Sequence, residues 1–152
     1  MEDKVWYVAY GSNMLRERFM VYINGGRFCD IKKTYSGCTD KTPPTADEPL
    51  TIPFELYFGN ESKTWGGGVA FIDKDKSGQT KGRAYLITTG QFDEIQAQEG
   101  NGPNWYNCVI ELKKDRNGIP YKLFTNENRR PENSPSKEYR AIYDKGLKEV
   151  YG

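Results

Sequence analysis

The sequence predicts an α+β fold, and three patterns carry that prediction. Residues 5–10 are all apolar or aromatic, which is typical of a strand that is buried on both faces. Asn117-Gly118 is a strong hairpin signal between two runs of alternating apolar residues, so an antiparallel pair of strands is expected there. Apolar residues recur at helical spacing near the start, in the middle and at the end of the chain, which predicts three helices.

Length, composition and charge limit the classes of function. At 152 residues the chain has the size of one domain, and we take residues 1–152 as one. Aromatic residues make up 14% of the chain and the formal net charge is only +1, so disorder is not expected and aromatic packing should fill the core. No basic run exceeds two residues, and the N-terminal segment matches neither a signal peptide nor a membrane span. We therefore expect a cytoplasmic protein that binds neither nucleic acid nor membrane.

Histidine and cysteine set the limits on catalysis. The chain has no histidine, which excludes a Ser-His-Asp triad, a Cys-His pair and a His-ligated metal. Cys29, Cys38 and Cys108 are odd in number and lack the close paired spacing of a zinc site, so we expect reduced thiols that serve in packing. Any catalytic proton must then be carried by another kind of side chain.

A turn and a helix follow the first strand. Gly11 supplies backbone freedom, Ser12 and Asn13 are good helix caps, and apolar residues follow at helical spacing until Gly25. Such a junction directs several backbone N–H groups at one spot beside the positive end of a helix dipole, which favours an anion or a developing oxyanion. A tight turn without a ligand is the alternative.

The middle of the chain should add strands. Residues 49–58 mix β-forming residues with two prolines and predict an edge strand or a strand with a bulge. The three glycines 66–68 indicate either a close approach by another backbone or a ligand, or else a flexible hairpin entry. Two further strands, 69–72 and 82–87, are expected on either side of a polar turn.

The second helix carries the most informative residue. Thr88 and Gln91 have the spacing of a capping box, and Gly100 marks the end of the helix. Glu99 shares a helical stripe with the apolar residues that face the core, so it should point inward. Burial and the helix dipole both disfavour its anionic form, which suits a group that exchanges protons. A salt bridge or a frayed last turn is the alternative.

Three tyrosines are candidates for the same pocket. Strand alternation places Tyr106 and Tyr121 toward the core side of the antiparallel pair, and Tyr139 lies on the apolar stripe of the last helix, which is expected to begin at Ser134. For each tyrosine, ordinary aromatic packing with the hydroxyl at the rim is the alternative.

Together these motifs resemble the γ-glutamyl cyclotransferase superfamily over nearly the full length. The resemblance rests on Tyr10-Gly11-Ser12-Asn13, Trp65 with its glycines, Gln98-Glu99-Gly100, Tyr106 and Pro135-Ser136-x-x-Tyr139. It implies a small mixed β-barrel with flanking helices and no cofactor or metal. It also implies that Glu99 is the catalytic acid and base, and that substrate is bound by Tyr10, Gly11, Ser12, Asn13, Met14, Tyr106, Tyr121 and Tyr139. The chain departs from the better-studied members in a longer loop before Ser134 and in Asn101-Gly102-Pro103.

The resemblance also implies a reaction. A small-molecule γ-glutamyl amide or peptide contains its own nucleophile, because its α-amine can close a five-membered ring on the γ-carbonyl and release 5-oxoproline. Glu99 would move the proton from the α-amine to the leaving nitrogen, and the N–H groups of residues 11–13 would bind either the α-carboxylate or the γ-oxyanion. A non-catalytic binding or regulatory module and an amide hydrolase that uses water are the rival interpretations.

Overall fold

The computed structural model describes residues 3–28, 31 and 33–152. Eight helices and strands make up its main elements, and a short 3-10 turn (Ser12–Met14) follows the first of them. In chain order these are β1 (Lys4–Ala9), α1 (Arg16–Asn24), β2 (Asp47–Gly59), β3 (Val69–Thr88), α2 (Thr89–Glu99), β4 (Cys108–Lys114), β5 (Pro120–Thr125) and α3 (Lys137–Tyr151). Cys29, one of the three cysteines expected to serve in packing, lies outside the described residues.

The strands form one mixed sheet in the order β2-β3-β1-β5-β4. β1 and β5 run parallel, and the other neighbouring pairs are antiparallel. The sheet curls into a half-barrel with β2 and β4 at its edges, and the three helices flank it. The predicted α+β fold, with a mixed barrel-like sheet and flanking helices, is confirmed.

The core lies around β1 and is rich in aromatic rings. Every residue from Val5 to Ala9 is buried, as the unbroken apolar run predicts for a central strand. The ring of Tyr7 packs against Phe19, Tyr85 and Phe124, and the Phe19 and Tyr85 rings stack with centroids 4.0 Å apart. Aromatic residues thus supply much of the core volume, which confirms the expectation from composition.

β2 and β3 form a long antiparallel ribbon. The prediction of two strands separated by a polar turn is wrong, because β3 is continuous from Val69 to Thr88. The register against β2 shifts between Ile52 and Glu55, where a bulge accommodates the polar segment of β3 and residues 75–77 are exposed. A polar run therefore interrupts burial here without ending the strand. Of the two alternatives for residues 49–58, the edge strand is confirmed in β2, and the extra residues of the bulge lie in β3.

The glycines before β3 allow another backbone to come close. A Cβ on Gly68 would lie 2.0 Å from the carbonyl oxygen of Asn133, and one on Gly67, whose φ is +74°, would lie 2.7 Å from the carbonyl oxygen of Ser134. The Gly68 N–H donates to that Ser134 oxygen at 2.9 Å. Of the two interpretations, close backbone approach is confirmed. The contact joins the start of β3 to the loop that precedes α3.

The helix starts differ from prediction at two of the three helices. Ser12 and Asn13 do not cap α1, since they form the 3-10 turn and α1 begins at Arg16 without a side-chain cap. α3 is capped by Ser136 rather than Ser134, because the Ser136 hydroxyl accepts the Tyr139 N–H at 3.1 Å.

The remaining helix boundaries agree with the sequence patterns. The capping box at the start of α2 is present, with Thr88 and Gln91 bonded to each other's backbone N–H. α1 ends at Asn24, before Gly25 with a φ of +83°, and α2 ends at Glu99. Across the part of the chain that the structure describes, none of the helices is long and apolar enough to cross a membrane.

Candidate functional site

A cavity of about 80 Å³ opens at the end of β1, between the turn after that strand, α1 and the last turn of α2. Aromatic rings form much of its wall. Its lining residues are Tyr7, Val8, Tyr10, Gly11, Ser12, Asn13, Arg18, Tyr22, Lys33, Tyr35, Ser62, Thr64, Trp65, Val69, Ala70, Glu99, Trp105, Tyr106, Phe124 and Tyr139.

The turn after β1 is closed over the hydroxyl of Tyr139. A Cβ on Gly11 would lie 2.7 Å from that hydroxyl oxygen and 3.1 Å from the Cβ of Ala70. The φ of Gly11 is −116°, outside the left-handed region, so close packing rather than an unusual φ accounts for the glycine. The Tyr139 hydroxyl accepts the Ala70 N–H at 3.1 Å. The turn and α3 are thereby held together at the cavity wall.

Asn13 orients the carboxylate of Glu99. The Nδ2 group of buried Asn13 donates to Oε1 of Glu99 at 2.9 Å and to the hydroxyl of Tyr7 at 3.0 Å. Glu99 is the last residue of α2 and is half-buried, with one face toward the cavity. The Oδ1 atom of Asn13 is buried and has no donor among the described residues. The arrangement leaves the Glu99 carboxylate held but still able to contact a ligand.

Several tyrosine hydroxyls near Glu99 stay protonated across the neutral range. Burial, followed by the negative charge of Glu99, raises the pKa of Tyr7 well above its ordinary value of 10.0. The same two causes, in the same order, raise the pKa of Tyr22. For Tyr139 burial again raises the pKa most, against a smaller lowering by the Ala70 N–H. The wall around the carboxylate is therefore made of neutral hydroxyl groups.

The tyrosine hydroxyls differ in what they can offer a ligand. Those of Tyr10 and Tyr106 donate to the carbonyl oxygens of Phe124 and Ala70, each at 2.8 Å, so their protons are already used. The Tyr139 hydroxyl accepts a backbone N–H, and its own proton has no acceptor within the described part of the chain. Tyr139 is thus the one of these three that is able to donate a hydrogen bond into the cavity.

The structure brings most of the predicted site residues together and leaves two apart. Those that line the cavity are Tyr10, Gly11, Ser12, Asn13, Glu99, Tyr106 and Tyr139. Met14 does not line it, because its side chain is fully buried in the core. The Met14 carbonyl instead accepts from Nη1 of Arg83 at 2.9 Å.

Tyr121 faces the other side of the sheet. It is paired with Trp6 in the β1–β5 register, and their rings stack with centroids 5.2 Å apart. Its hydroxyl donates to the carboxylate of Glu48. Because alternate residues of a strand point to opposite faces, Tyr121 is directed away from the side on which Phe124 lines the cavity. The prediction that Tyr121 lines the pocket is wrong.

Arg18 is a functional candidate that the sequence interpretation missed. It is 1% exposed and lines the cavity from α1. Its Nη2 donates to the hydroxyls of Tyr22 at 2.9 Å and Tyr35 at 2.7 Å, whereas its Nε and Nη1 have no acceptor among the described residues. The signal was available, because Arg18 precedes Tyr22 by four residues on the apolar stripe of the predicted first helix.

Acidic residues and cysteines are not gathered for metal binding. Within residues 3–28, 31 and 33–152, no group of three or more His, Cys, Asp or Glu side chains is placed to hold a metal ion.

Comparisons with known proteins show that γ-glutamyl cyclotransferases are similar to nearly the whole chain. Human γ-glutamylcyclotransferase is 28% identical over 158 residues, which cover 97% of this chain and 72% of that protein. A solved structure of a γ-glutamyl cyclotransferase superposes with a TM-score of 0.70 at 26% identity, covering 98% of this chain and 81% of that one.

A further relative is a much longer plant protein. Histone deacetylase 5 of Arabidopsis thaliana is 44% identical over 104 residues, which cover 66% of this chain but only 16% of that protein. Only a small part of the plant protein is therefore similar to this chain. No family model matches the sequence.

Proposed function

Because the chain belongs to the γ-glutamyl cyclotransferase superfamily, we propose that it is an enzyme that cleaves a γ-glutamyl amide or peptide by intramolecular attack. The α-amine of the γ-glutamyl residue attacks the γ-carbonyl carbon, and the products are 5-oxoproline and a free amine or amino acid. The two relatives named γ-glutamylcyclotransferase support the reaction class.

One observation carries the proposal. Glu99 is a carboxylate at the edge of an aromatic cavity, and its only side-chain hydrogen bond within the described residues comes from Asn13 at 2.9 Å. It makes no ion pair there, so it is free to exchange a proton with a ligand. A group that can both accept and return a proton is what cyclisation needs when the chain contains no histidine.

The proposed reaction needs no reactant besides the substrate and Glu99. A bond forms between the α-nitrogen and the γ-carbon, and the γ-carbonyl takes the charge of a tetrahedral intermediate. Glu99 accepts the proton that the α-nitrogen loses. The bond from the γ-carbon to the leaving nitrogen then breaks, and Glu99 returns the proton to that nitrogen. Since attack is intramolecular, correct alignment of the amine can supply roughly 7–11 kcal/mol of the barrier.

The developing oxyanion needs hydrogen-bond donors. The turn at residues 10–13 lines the cavity, and its backbone N–H groups are candidates for this role. The hydroxyl of Tyr139, whose proton has no acceptor in the described chain, is a second candidate beside the turn. Removal of one such donor typically lowers kcat by roughly 10²- to 10³-fold.

Product analysis on a panel of γ-glutamyl amines and γ-glutamyl amino acids tests the proposal. Each compound is incubated with the purified protein, and 5-oxoproline, glutamate and the released amine are quantified by mass spectrometry. We expect 5-oxoproline and amine in equal amounts from at least one compound. Glutamate in place of 5-oxoproline would show a hydrolase, and binding without either product would show a non-catalytic module.

A further inference from the structure

Arg18 is a buried cation that has no carboxylate partner among the described residues. It is 1% exposed, and it takes part in no ion pair among the residues that the structure describes. Two of its three nitrogens, Nε and Nη1, have no hydrogen-bond acceptor there. Buried charges are normally paired, so an unpaired guanidinium at a cavity wall indicates a site for an anion.

The surroundings of Arg18 stabilise the cation without neutralising it. Its guanidinium carbon lies over four aromatic rings, at 4.9 Å from the centroid of Tyr22, 5.6 Å from Phe28, 4.8 Å from Tyr35 and 5.4 Å from Trp65. Cation–π contacts and two neutral hydroxyls offset part of the desolvation cost and leave the net charge in place. The guanidinium is thus preorganised with donors to spare, which is the condition for binding a carboxylate.

Arg18 and Glu99 present opposite charges to the same cavity. Both line it, and the hydroxyl of Tyr22, which also lines the cavity, accepts a hydrogen bond from Arg18. An α-amino acid group carries a carboxylate and an amine on one carbon. A cavity lined by a buried cation and a carboxylate is complementary to such a group.

We propose that Arg18 binds the α-carboxylate of the γ-glutamyl residue and so places its α-amine at Glu99. This inference rests on the proposed function and names the group that selects the substrate. The other basic residue of the cavity, Lys33, is exposed and donates to the Gln98 carbonyl at 3.2 Å. With Arg18 on the carboxylate, the turn at residues 10–13 and Tyr139 are left for the oxygen of the γ-carbonyl.

Binding of the product and its amide tests the role of Arg18 without turnover. Affinities for 5-oxoproline, which keeps the carboxylate, and 5-oxoprolinamide, which lacks the charge, are measured by calorimetry. We expect the wild type to prefer 5-oxoproline by roughly 10- to 100-fold, the range of a hydrogen-bonded charge. Equal affinities in the wild type would overturn the proposal whatever the variants do.

Variants then assign the preference to Arg18. We expect Arg18→Met to lose the preference, Arg18→Lys to keep part of it, and Arg116→Met, the same change in the exposed β4–β5 turn, to keep all of it. A folded Arg18→Met protein with the wild-type preference would overturn the proposal. If Arg18→Met does not fold, Arg18→Lys decides, because lysine lacks the planar fork and an undiminished preference would exclude a bidentate carboxylate contact.

Substrate truncation separates this inference from the proposed function. A 4-aminobutanoyl amide can cyclise in the same way but has no α-carboxylate. We expect Arg18→Lys to lower kcat/KM for the γ-glutamyl amide and to leave kcat/KM for the 4-aminobutanoyl amide nearly unchanged. Equal losses on both substrates would overturn the role of Arg18 while leaving the cyclisation intact. A carboxylate preference in binding without any turnover would support the Arg18 site and overturn the proposed function.

Discussion

The hydrogen bond from Asn13 to Glu99 links two residues that are 86 positions apart in the chain. Asn13 lies in the turn after β1 and Glu99 ends α2, so the contact exists only when both elements are in place. Asn13 donates and Glu99 accepts, which holds the carboxylate in one orientation and leaves its second oxygen for a ligand. The proposed chemistry depends on this pair.

Glu99→Gln should fold and bind but fail to turn over. The amide has nearly the same shape and can accept the Asn13 hydrogen bond, yet it cannot take a proton from the α-amine. Loss of a general acid and base typically costs ~10²- to 10⁴-fold, so 5-oxoproline release should fall by at least the lower figure. Thermal stabilisation by 5-oxoproline should persist. Glu111→Gln, the same change at an exposed strand position, is the control and should be fully active.

Tyr139→Phe and Tyr121→Phe should separate catalysis from packing. Tyr139 has a hydroxyl proton available at the cavity, so its loss should lower kcat roughly 10-fold or more. Tyr121→Phe removes a hydrogen bond to Glu48 on the other face of the sheet and should cost only about 1 kcal/mol of stability. Kinetics and chemical unfolding on both variants check this. Equal activity losses would contradict the assigned positions.

The positions of single residues were predicted correctly where the geometry of one helix alone determines which way the side chain points. The spacing within α2 was enough to place Glu99 toward the core side, because helical periodicity is local. Tyr121 was misplaced because its side depends on parallel pairing with β1, and no local signal reports that register. Arg18 was missed because charged residues on a helix are expected at the surface, so its place on the apolar stripe of the first helix was not interpreted as burial.

The turn between β1 and α1 acts as one rigid element. Met14 N–H donates to the Gly11 carbonyl at 3.1 Å and Leu15 N–H to the Ser12 carbonyl at 3.2 Å, which closes the 3-10 turn. Gly11 is packed against Tyr139 of α3 and Ala70 of β3, so three elements meet at one point. Movement of this turn would shift the cavity wall and the Asn13 side chain together.

Gly11→Ala should impair activity more than stability. The added Cβ would sit 2.7 Å from the Tyr139 hydroxyl, so that hydroxyl must move away from the Ala70 N–H. We expect a drop in kcat/KM of at least 10-fold with the fold retained. In the Gly11→Ala, Tyr139→Phe double variant the clash is relieved, so unfolding experiments should show a non-additive, smaller loss of stability. Strict additivity of the two changes would contradict the described contact.

Among the elements, prediction succeeded for one helix cap and one hairpin turn, which both depend on short-range chemistry. The capping box of α2 and the Asn117-Gly118 hairpin are both present as expected. The continuity of β3 could not be predicted, because its polar segment has the composition of a turn. Only the pairing with β2 shows that the segment is part of a strand. The delayed start of α1 escaped prediction because Asn13 bonds to Glu99 instead of to the backbone.

At the scale of the whole molecule, nonlocal pairing builds the site. β1 lies at the centre of the sheet, between β3 and β5, and the turn that follows it lines the cavity. The strand order could not be deduced from local patterns, and the expectation of a mixed barrel came from the resemblance to a family. The described loop 126–136 is held by backbone hydrogen bonds to Phe58 of β2 and to Gly68, and by the ion pair of Arg129 with Asp73 of β3.

The pH dependence of the free energy of unfolding should report the Arg129–Asp73 ion pair. Burial raises the pKa of Asp73, but the hydrogen bonds from Arg129 at 2.8 Å and from the Asp75 N–H, together with the charge of Arg129, outweigh burial and leave the pKa below the ordinary value of 3.8. A depressed folded pKa contributes stability above the unfolded value, and that contribution is lost as pH falls through the folded value. Asp73→Asn should therefore be less stable than the wild type at pH 7 and converge with it toward pH 2. A constant difference in unfolding free energy would contradict this.

The central claim is that the γ-carbonyl is attacked by the substrate's own amine and never by water. The most direct test is the reaction of a turned-over γ-glutamyl compound in water enriched in ¹⁸O, with mass analysis of the products. Intramolecular attack predicts 5-oxoproline without solvent oxygen, because no water adds to the γ-carbon. Glutamate carrying ¹⁸O, or 5-oxoproline carrying ¹⁸O after passage through glutamate, would contradict the account.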